Sequence, residues 1–352
     1  MKKLLCLICA LFFTVLSFAH NKQFDTMIVF GDSLSDNGNL YRYLWNKVPV
    51  SPPYYKGHFS NGPVWAELLY DSYFPAAYPE GFQNYAVGGA GAVLSYKQYL
   101  PYTLTMELDN YLYWHTYGKK DSSLYTIWIG GNNYLNGPSN VESITDSVVN
   151  ALANTVERII SHGGDKFFIP NLPDLGSTPY AVEMQKPLLL SQLTQEHNRK
   201  LAEKIDFLKQ KYPEVTFVAF DVYALFHEAT SHALDYGFSN TQDPCYLGGY
   251  TGWLVHNKPT DKNLQLYLSQ LDKNFDAQNW ALINNNPQLK EAAISSYLYQ
   301  LLPEKNKEEA LNCDAYIFWD RVHPSTKAHV FIAEKARQAL DEAGLQSFVP
   351  GE

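Results

Sequence analysis

Short apolar segments alternating with helical periodicity predict an α/β protein, a three-layer α/β/α sandwich around a mainly parallel sheet of about five strands. Three observations lead there. Several runs rich in β-branched and aromatic residues are nearly continuous in apolar character and end in Gly, Asn or Asp, which suits strands buried on both faces. Amphipathic helical patterns fill the intervals between them. From Tyr246 to Asn312 the alternation stops, so a helical insertion precedes the last helix.

The strands are expected at residues 26–30, 125–129, 166–169 and 215–220, with 82–87 a weaker fifth. The clearest helix carries Ile144, Val148, Leu152, Val156 and Ile159 on one face and is closed by Gly163-Gly164. Residues 186–211 and 326–342 read as two more amphipathic helices, the second following His323-Pro324-Ser325. Inside the insertion, residues 264–271 and 288–302 have helical character. No fixed-period repeat or low-complexity linker divides the chain, so residues 20–352 are expected to form one domain.

The first residues read as an export signal. Lys2 and Lys3 precede an apolar run over residues 4–18, and Ser17-Phe18-Ala19 is a small-x-small cleavage pattern. Cleavage after Ala19 implies a secreted protein that starts at His20. Cys6 and Cys9 lie inside the apolar run rather than after it, which argues against lipid attachment. No second run is long enough to span a bilayer. Two cysteines remain, Cys245 and Cys313, and in an exported chain they are expected to form one disulfide that closes the 246–312 insertion.

The chain holds 27 Lys and Arg against 36 Asp and Glu, a net charge of −9 that becomes −11 once Lys2 and Lys3 leave with the signal. Such a balance repels phosphates, and no nucleic-acid partner is expected.

Just after the first long strand comes Gly31-Asp32-Ser33-Leu34-Ser35-Asp36-Asn37-Gly38-Asn39, placing a hydroxyl at the carboxyl end of a strand, where α/β sheets put their ligands. Ser33 is expected in a surface loop. The segment also reads as a polar strand-to-helix cap, and alone it does not decide between the two. A serine becomes a nucleophile only with a base, and the base needs an orienting acid. Near the other end, Trp319-Asp320-Arg321-Val322-His323-Pro324 supplies both, three residues apart on a turn. Donors for a developing oxyanion are available after two further strands, in Asn84-Tyr85-Ala86-Val87-Gly88-Gly89-Ala90-Gly91 and in Gly130-Gly131-Asn132-Asn133-Tyr134. Each of those segments alone also reads as a tight turn.

The four blocks together resemble the GDSL or SGNH esterases and lipases, over the whole mature chain. That resemblance implies a flavodoxin-like SGNH-hydrolase sheet, Ser33 as nucleophile, His323 as base and Asp320 as its partner. It also implies an oxyanion hole made by the Ser33 and Gly89 amides and the Asn132 side chain, with no cofactor. More narrowly, Ser35-Asp36-Asn37-Gly38-Asn39, the Asn84 to Ala90 block and the late cysteine pair resemble the bacterial secreted lysophospholipase A and glycerophospholipid–cholesterol acyltransferase branch. One position departs, since Asn133 stands where the third block usually carries Asp.

The Gly-x-Ser-x-Gly elbow of the other lipase fold is absent, because Leu34-Ser35 follows Ser33. His227 and His232 do not suit zinc, as a spacing of five turns them about 140° apart on a helix, and no metal is expected. Aromatic side chains crowd Tyr96, Tyr99, Tyr102, Tyr111, Tyr113, Trp114 and Tyr117. They fit helix packing, and alternatively the rim of an acyl-chain site.

The leading expectation is hydrolysis of an acyl ester in a lysophospholipid or phospholipid through an acyl-serine intermediate, with acyl transfer to an alcohol as an extension. The membrane surface would be met only as substrate. A carbohydrate esterase and a non-catalytic lipid- or glycan-binding protein are the alternatives.

Overall fold

The computed structural model describes residues 22–44, 46, 49, 51–74, 78–94, 102–115, 121–135, 138–246, 259–286, 289–290, 293–294, 296–297 and 313–349. The export signal, most of 288–302, Tyr96, Tyr99 and Tyr117 lie outside the described residues. In chain order the elements are β1 (Gln23–Phe24), β2 (Thr26–Gly31), α1 (Asn39–Tyr43), α2 (Trp65–Tyr73), β3 (Phe82–Asn84), α3 (Leu104–Trp114), β4 (Ser123–Trp128) and α4 (Gly131–Leu135). They continue with α5 (Val141–Ser161), β5 (Lys166–Pro170), α6 (Pro179–Glu183), α7 (Pro187–Lys211), β6 (Thr216–Phe220), α8 (Val222–Ser231), β7 (Asn240–Pro244), α9 (Asp261–Leu271) and α10 (Ala277–Asn285). Last come β8 (Tyr316–Phe318), α11 (Thr326–Glu342) and β9 (Gln346–Ser347).

The main sheet has five strands, all parallel, in the order β3-β2-β4-β5-β6. This is the expected α/β fold with the flavodoxin-like strand order. Strands β4 and β5 are buried along their whole length, which is why they read as unbroken apolar runs. Helices α3, α5 and α7 pack side by side, while α2 packs on α11. Right-handed crossovers set those two groups on opposite faces of the sheet.

Local chemistry sets the boundaries. Helix α5 starts where the Asn140 side chain accepts the Ser143 N–H, and it stops at Gly163, whose φ of 95° lies in the left-handed region. Its Val148, Leu152, Val156 and Ile159 are buried, each contributing about 1.5–3 kcal/mol of transfer free energy. Strand β3 ends at Asn84, three residues before the expected limit. There the Asn84 side chain accepts the Ala86 N–H at 2.9 Å and donates to the Ser35 carbonyl at 2.7 Å, turning the chain out of the sheet.

Two further pairings went unanticipated. Strand β1 runs parallel to β9, and β7 runs parallel to β8 at the foot of the insertion. Cys245 and Cys313 are joined there by a disulfide, with Cα atoms 5.7 Å apart. Cys313 is buried with Tyr54, Tyr246 and Trp319 in a cluster separate from the main core, and half-buried Cys245 packs against it.

Candidate active site

Ser33 lies two residues beyond β2, and Asn132 sits in the first turn of α4, directly after β4. Those adjacent strands are where the strand order reverses, so both residues stand at the topological switch point, on the carboxyl edge of the sheet. The chain turns sharply after Asp32, whose carbonyl accepts the N–H groups of Ser35 at 3.0 Å and Asp36 at 2.9 Å. Ser33 is only 3% exposed, which corrects the expectation of a surface loop. The turn is folded inward, and Ser33 opens onto a cavity shared with Leu34, Val322 and Pro324.

His323 Nε2 lies 2.9 Å from Ser33 Oγ, and His323 Nδ1 lies 2.7 Å from Asp320 Oδ2. The sequence spacing of three works because Asp320 caps its own turn, with Oδ1 accepting the backbone N–H groups of Val322 and His323 at 2.8 Å each. Tyr54 donates its hydroxyl to Asp320 Oδ2 at 2.9 Å. All three members of the chain are buried. Burial works to raise the Asp320 carboxyl, but the His323 charge and hydrogen bond, with the two backbone donors, outweigh it and hold the group below its ordinary value. The carboxylate therefore stays ionised, an arrangement that favours the imidazole proton on Nδ1 and can leave Nε2 as an acceptor facing Ser33. Phe59 backs the arrangement with its ring 5.1 Å from that of His323.

The facing loop carries Gly89 with φ 80°, a conformation that favours glycine. A Cβ at Gly89 would meet the Asn286 amide nitrogen, from the insertion, at 2.6 Å. The Asn132 side chain donates to the Ala90 carbonyl at 2.8 Å, so it anchors this same loop. Asn133 accepts the Ala92 N–H and donates to the Val93 carbonyl, both at 2.8 Å. An ionised Asp could only accept, so the amide at this position supplies one more loop hydrogen bond than the usual acid.

Acids that the sequence reading assigned no role underlie the site. Asp36 accepts four backbone N–H groups, from Gly38 at 2.8 Å, Asn39 at 2.5 Å, Leu40 at 3.1 Å and Gly88 at 2.7 Å. Glu107, on α3, accepts the Gly31 N–H at 2.9 Å from beneath. Burial, reinforced by the charges of Asp32 and Asp36, raises Glu107 well above the usual carboxyl range against the pull of that hydrogen bond. Asp32, beside the serine, is pushed by burial up to about 7, with the Leu34 N–H and the His323 charge opposing.

The cavity beside Ser33 measures about 110 Å³. Leu135, Leu172, Leu175, Phe226 and Phe318 give it apolar walls, and Asn132 borders it near the serine. His227 lines it as well, while His232 is exposed at the end of α8. Tyr102, Tyr111, Tyr113 and Trp114 are not among the lining residues; Tyr111 is buried on Tyr125, and Tyr113 and Trp114 face solvent. The cavity is therefore built from α4, α8, β8 and the loop after β5 rather than from the tyrosine-rich stretch.

A doubly wound sheet bearing a serine, an imidazole and a carboxylate in this order at its switch point defines a class of ester-hydrolysing α/β proteins. The chain belongs to the GDSL-like lipase/acylhydrolase family, whose model matches residues 27–336. This bears out the resemblance carried by the four blocks. The chain is 32% identical to a phosphatidylcholine-sterol acyltransferase of Aeromonas hydrophila, across 97% of this chain and 98% of that protein. It is 25% identical to a thermolabile hemolysin of Vibrio parahaemolyticus, across 89% of this chain and 63% of the other. A secreted effector protein of Salmonella typhimurium is 26% identical, across 64% of this chain and 53% of its own length.

Proposed function

We propose that this protein hydrolyses the acyl esters of lysophospholipids and phospholipids through an acyl-serine intermediate, and that the acyl group can also pass to an alcohol. The observation that carries the reading is the hydrogen-bonded chain Ser33–His323–Asp320 opening onto an apolar cavity. Similarity to a phosphatidylcholine-sterol acyltransferase supports both the lipid substrate and the transfer.

In the first step Ser33 Oγ attacks the ester carbonyl while its proton passes to His323 Nε2. The Oγ–C bond forms, and the carbonyl electrons move onto oxygen. The Ser33 and Gly89 amides and the Asn132 side chain are the proposed donors to that oxyanion. Collapse breaks the bond to the alcohol, which leaves with the proton from His323. Water, or a second alcohol, then attacks the acyl-serine carbonyl while His323 takes its proton, and the C–Oγ bond breaks as that proton returns to Ser33 Oγ, releasing the acid or the new ester. Asp320 stabilises the imidazolium at both stages. Apolar walls suit a fatty acyl chain better than a sugar, whose hydroxyls they would strip of water without replacing the hydrogen bonds.

Residues 1–19 are proposed to direct export, a reading supported by their charge and apolar pattern and by the secreted relative. Acid release from lysophosphatidylcholine, a diacyl phospholipid, a short nitrophenyl ester and an acetylated sugar tests the substrate class. The lipid esters are expected to turn over fastest. Preference for the acetylated sugar would turn the assignment to a carbohydrate esterase, and no turnover of any ester would leave a binding protein.

A further inference from the structure

We infer that Tyr54 is a positioning residue for this reaction, its hydroxyl holding the Asp320 carboxylate in the plane that serves His323. The inference rests on the assignment of Ser33, His323 and Asp320 made above. Asp320 Oδ1 is fixed within its own turn by two backbone donors, but rotation of a carboxylate about its last bond is soft. His323 Nδ1 lies 2.7 Å from Oδ2 and 2.9 Å from Oδ1, and the Tyr54 hydroxyl reaches Oδ2, the nearer of the two, from outside the turn, 266 residues away in sequence. Two donors converging on one oxygen set the direction of its lone pairs.

Tyr54 is itself held. It is 2% exposed, and its ring meets Phe59, Tyr246 and Trp319 edge to face at 6.1, 5.9 and 5.7 Å. Tyr246 and Trp319 stack at 5.1 Å beside buried Cys313. The hydroxyl therefore points at Asp320 from a rigid aromatic wall and does not line the cavity beside Ser33.

Removing the hydroxyl has two consequences of known sign. The carboxylate gains rotational freedom, so the imidazole is aligned for a smaller fraction of the time. Oδ2 also loses a donor that drew its charge away from His323, so the pair holds its proton more tightly. Asp32 and His329 also interact with the His323 charge, and burial keeps His329 neutral by lowering it to about 3. Neither is altered by the change.

Tyr54→Phe is tested on a short nitrophenyl ester, with rates expressed per Ser33 site titrated by diethyl nitrophenyl phosphate, so that unfolded molecules do not count. The expected result is about a tenfold fall in kcat with KM unchanged, and an acid limb of kcat/KM displaced to higher pH by roughly half a unit. Tyr246→Leu loosens the same wall without removing the hydroxyl, and should lower the melting temperature and leave the acid limb in place. An unchanged kcat and acid limb in Tyr54→Phe would overturn the inference. An equal displacement in Tyr246→Leu would do so too, since the wall and not the hydroxyl would be responsible. Ser33→Ala run alongside separates the two levels: if it keeps its rate, the assignment of the nucleophile has failed rather than the role of Tyr54.

Discussion

The Asp36 carboxylate accepts the backbone N–H of Gly88 at 2.7 Å through one oxygen and those of Gly38 and Asn39 through the other. One side chain thus ties the turn that bears Ser33 to the loop that bears Gly89. The proposed nucleophile and the proposed oxyanion donor cannot drift apart without breaking these hydrogen bonds.

Ser33→Ala is expected to lower turnover by several orders of magnitude and to leave the melting temperature within a few degrees of the parent. His323→Ala should be comparably damaging, and the double variant little worse than either single one, because the two groups act as one proton-transfer unit. Losses that multiply in the double variant would argue against the pairing.

Asn132→Ala should cost about 100- to 1,000-fold in kcat, the usual cost of one oxyanion donor. Because the same amide also holds the Ala90 carbonyl, a modest loss of stability should accompany it. Gly89→Ala is expected to be worse for folding, since it forces a side chain into a left-handed backbone and against Asn286. A full rate in Asn132→Ala would remove that residue from the mechanism.

Asp32 makes stability pH-dependent. Burial raises its folded value to about 7 from an ordinary 3.8. Below pH 3.8 both states hold the proton. Between 3.8 and 7 the unfolded chain releases it first, so this group's contribution is lost as pH rises, to a limit of roughly 4 kcal/mol. Asp32→Asn should therefore gain stability relative to the parent between pH 4 and pH 8. Chemical denaturation of both proteins across that range measures it, and a constant difference would show that Asp32 is already ionised in the folded protein at low pH.

Cys313→Ser opens a loop whose ends are 68 residues apart, and chain entropy puts the cost at about 4 kcal/mol or less. Asn286 from that loop lies against Gly89, so the insertion is expected to bear on the site as well as on stability. Activity on long-chain lipid should fall more than on a short soluble ester. Equal losses on both would reduce the disulfide to a staple.

The sheet was readable from sequence because β2, β4 and β5 are buried on both faces and so appear as apolar runs. Strand β7 was not, since Asn240-Thr241-Gln242-Asp243-Pro244 has no apolar alternation and its strand character comes from backbone pairing with β8. Ser33, Asp320 and His323 stood in motifs. Glu107 did not, because an acid in a helix reads as a solvent-facing residue, and its burial follows only from where α3 crosses β2. Tyr54 is one of 26 tyrosines, and nothing within its own segment announces a partner 266 positions later. The cavity walls escaped for a related reason: Leu135, Leu172 and Phe226 belong to separate elements and meet only in three dimensions.

Strand β1 pairs with β9, so Gln23 lies beside Gln346, and Ser33 meets its base across 290 residues of chain. During synthesis the segment bearing His323, with Phe318, Val322 and Pro324 of the cavity, emerges long after the serine turn. A growing chain therefore lacks the proposed base beside Ser33, whatever its degree of local folding, until the segment before α11 docks. Closing a loop of that length makes the final docking slow compared with helix formation. The contact that closes the fold between its two distant segments is thus the same contact that assembles the proposed reacting groups.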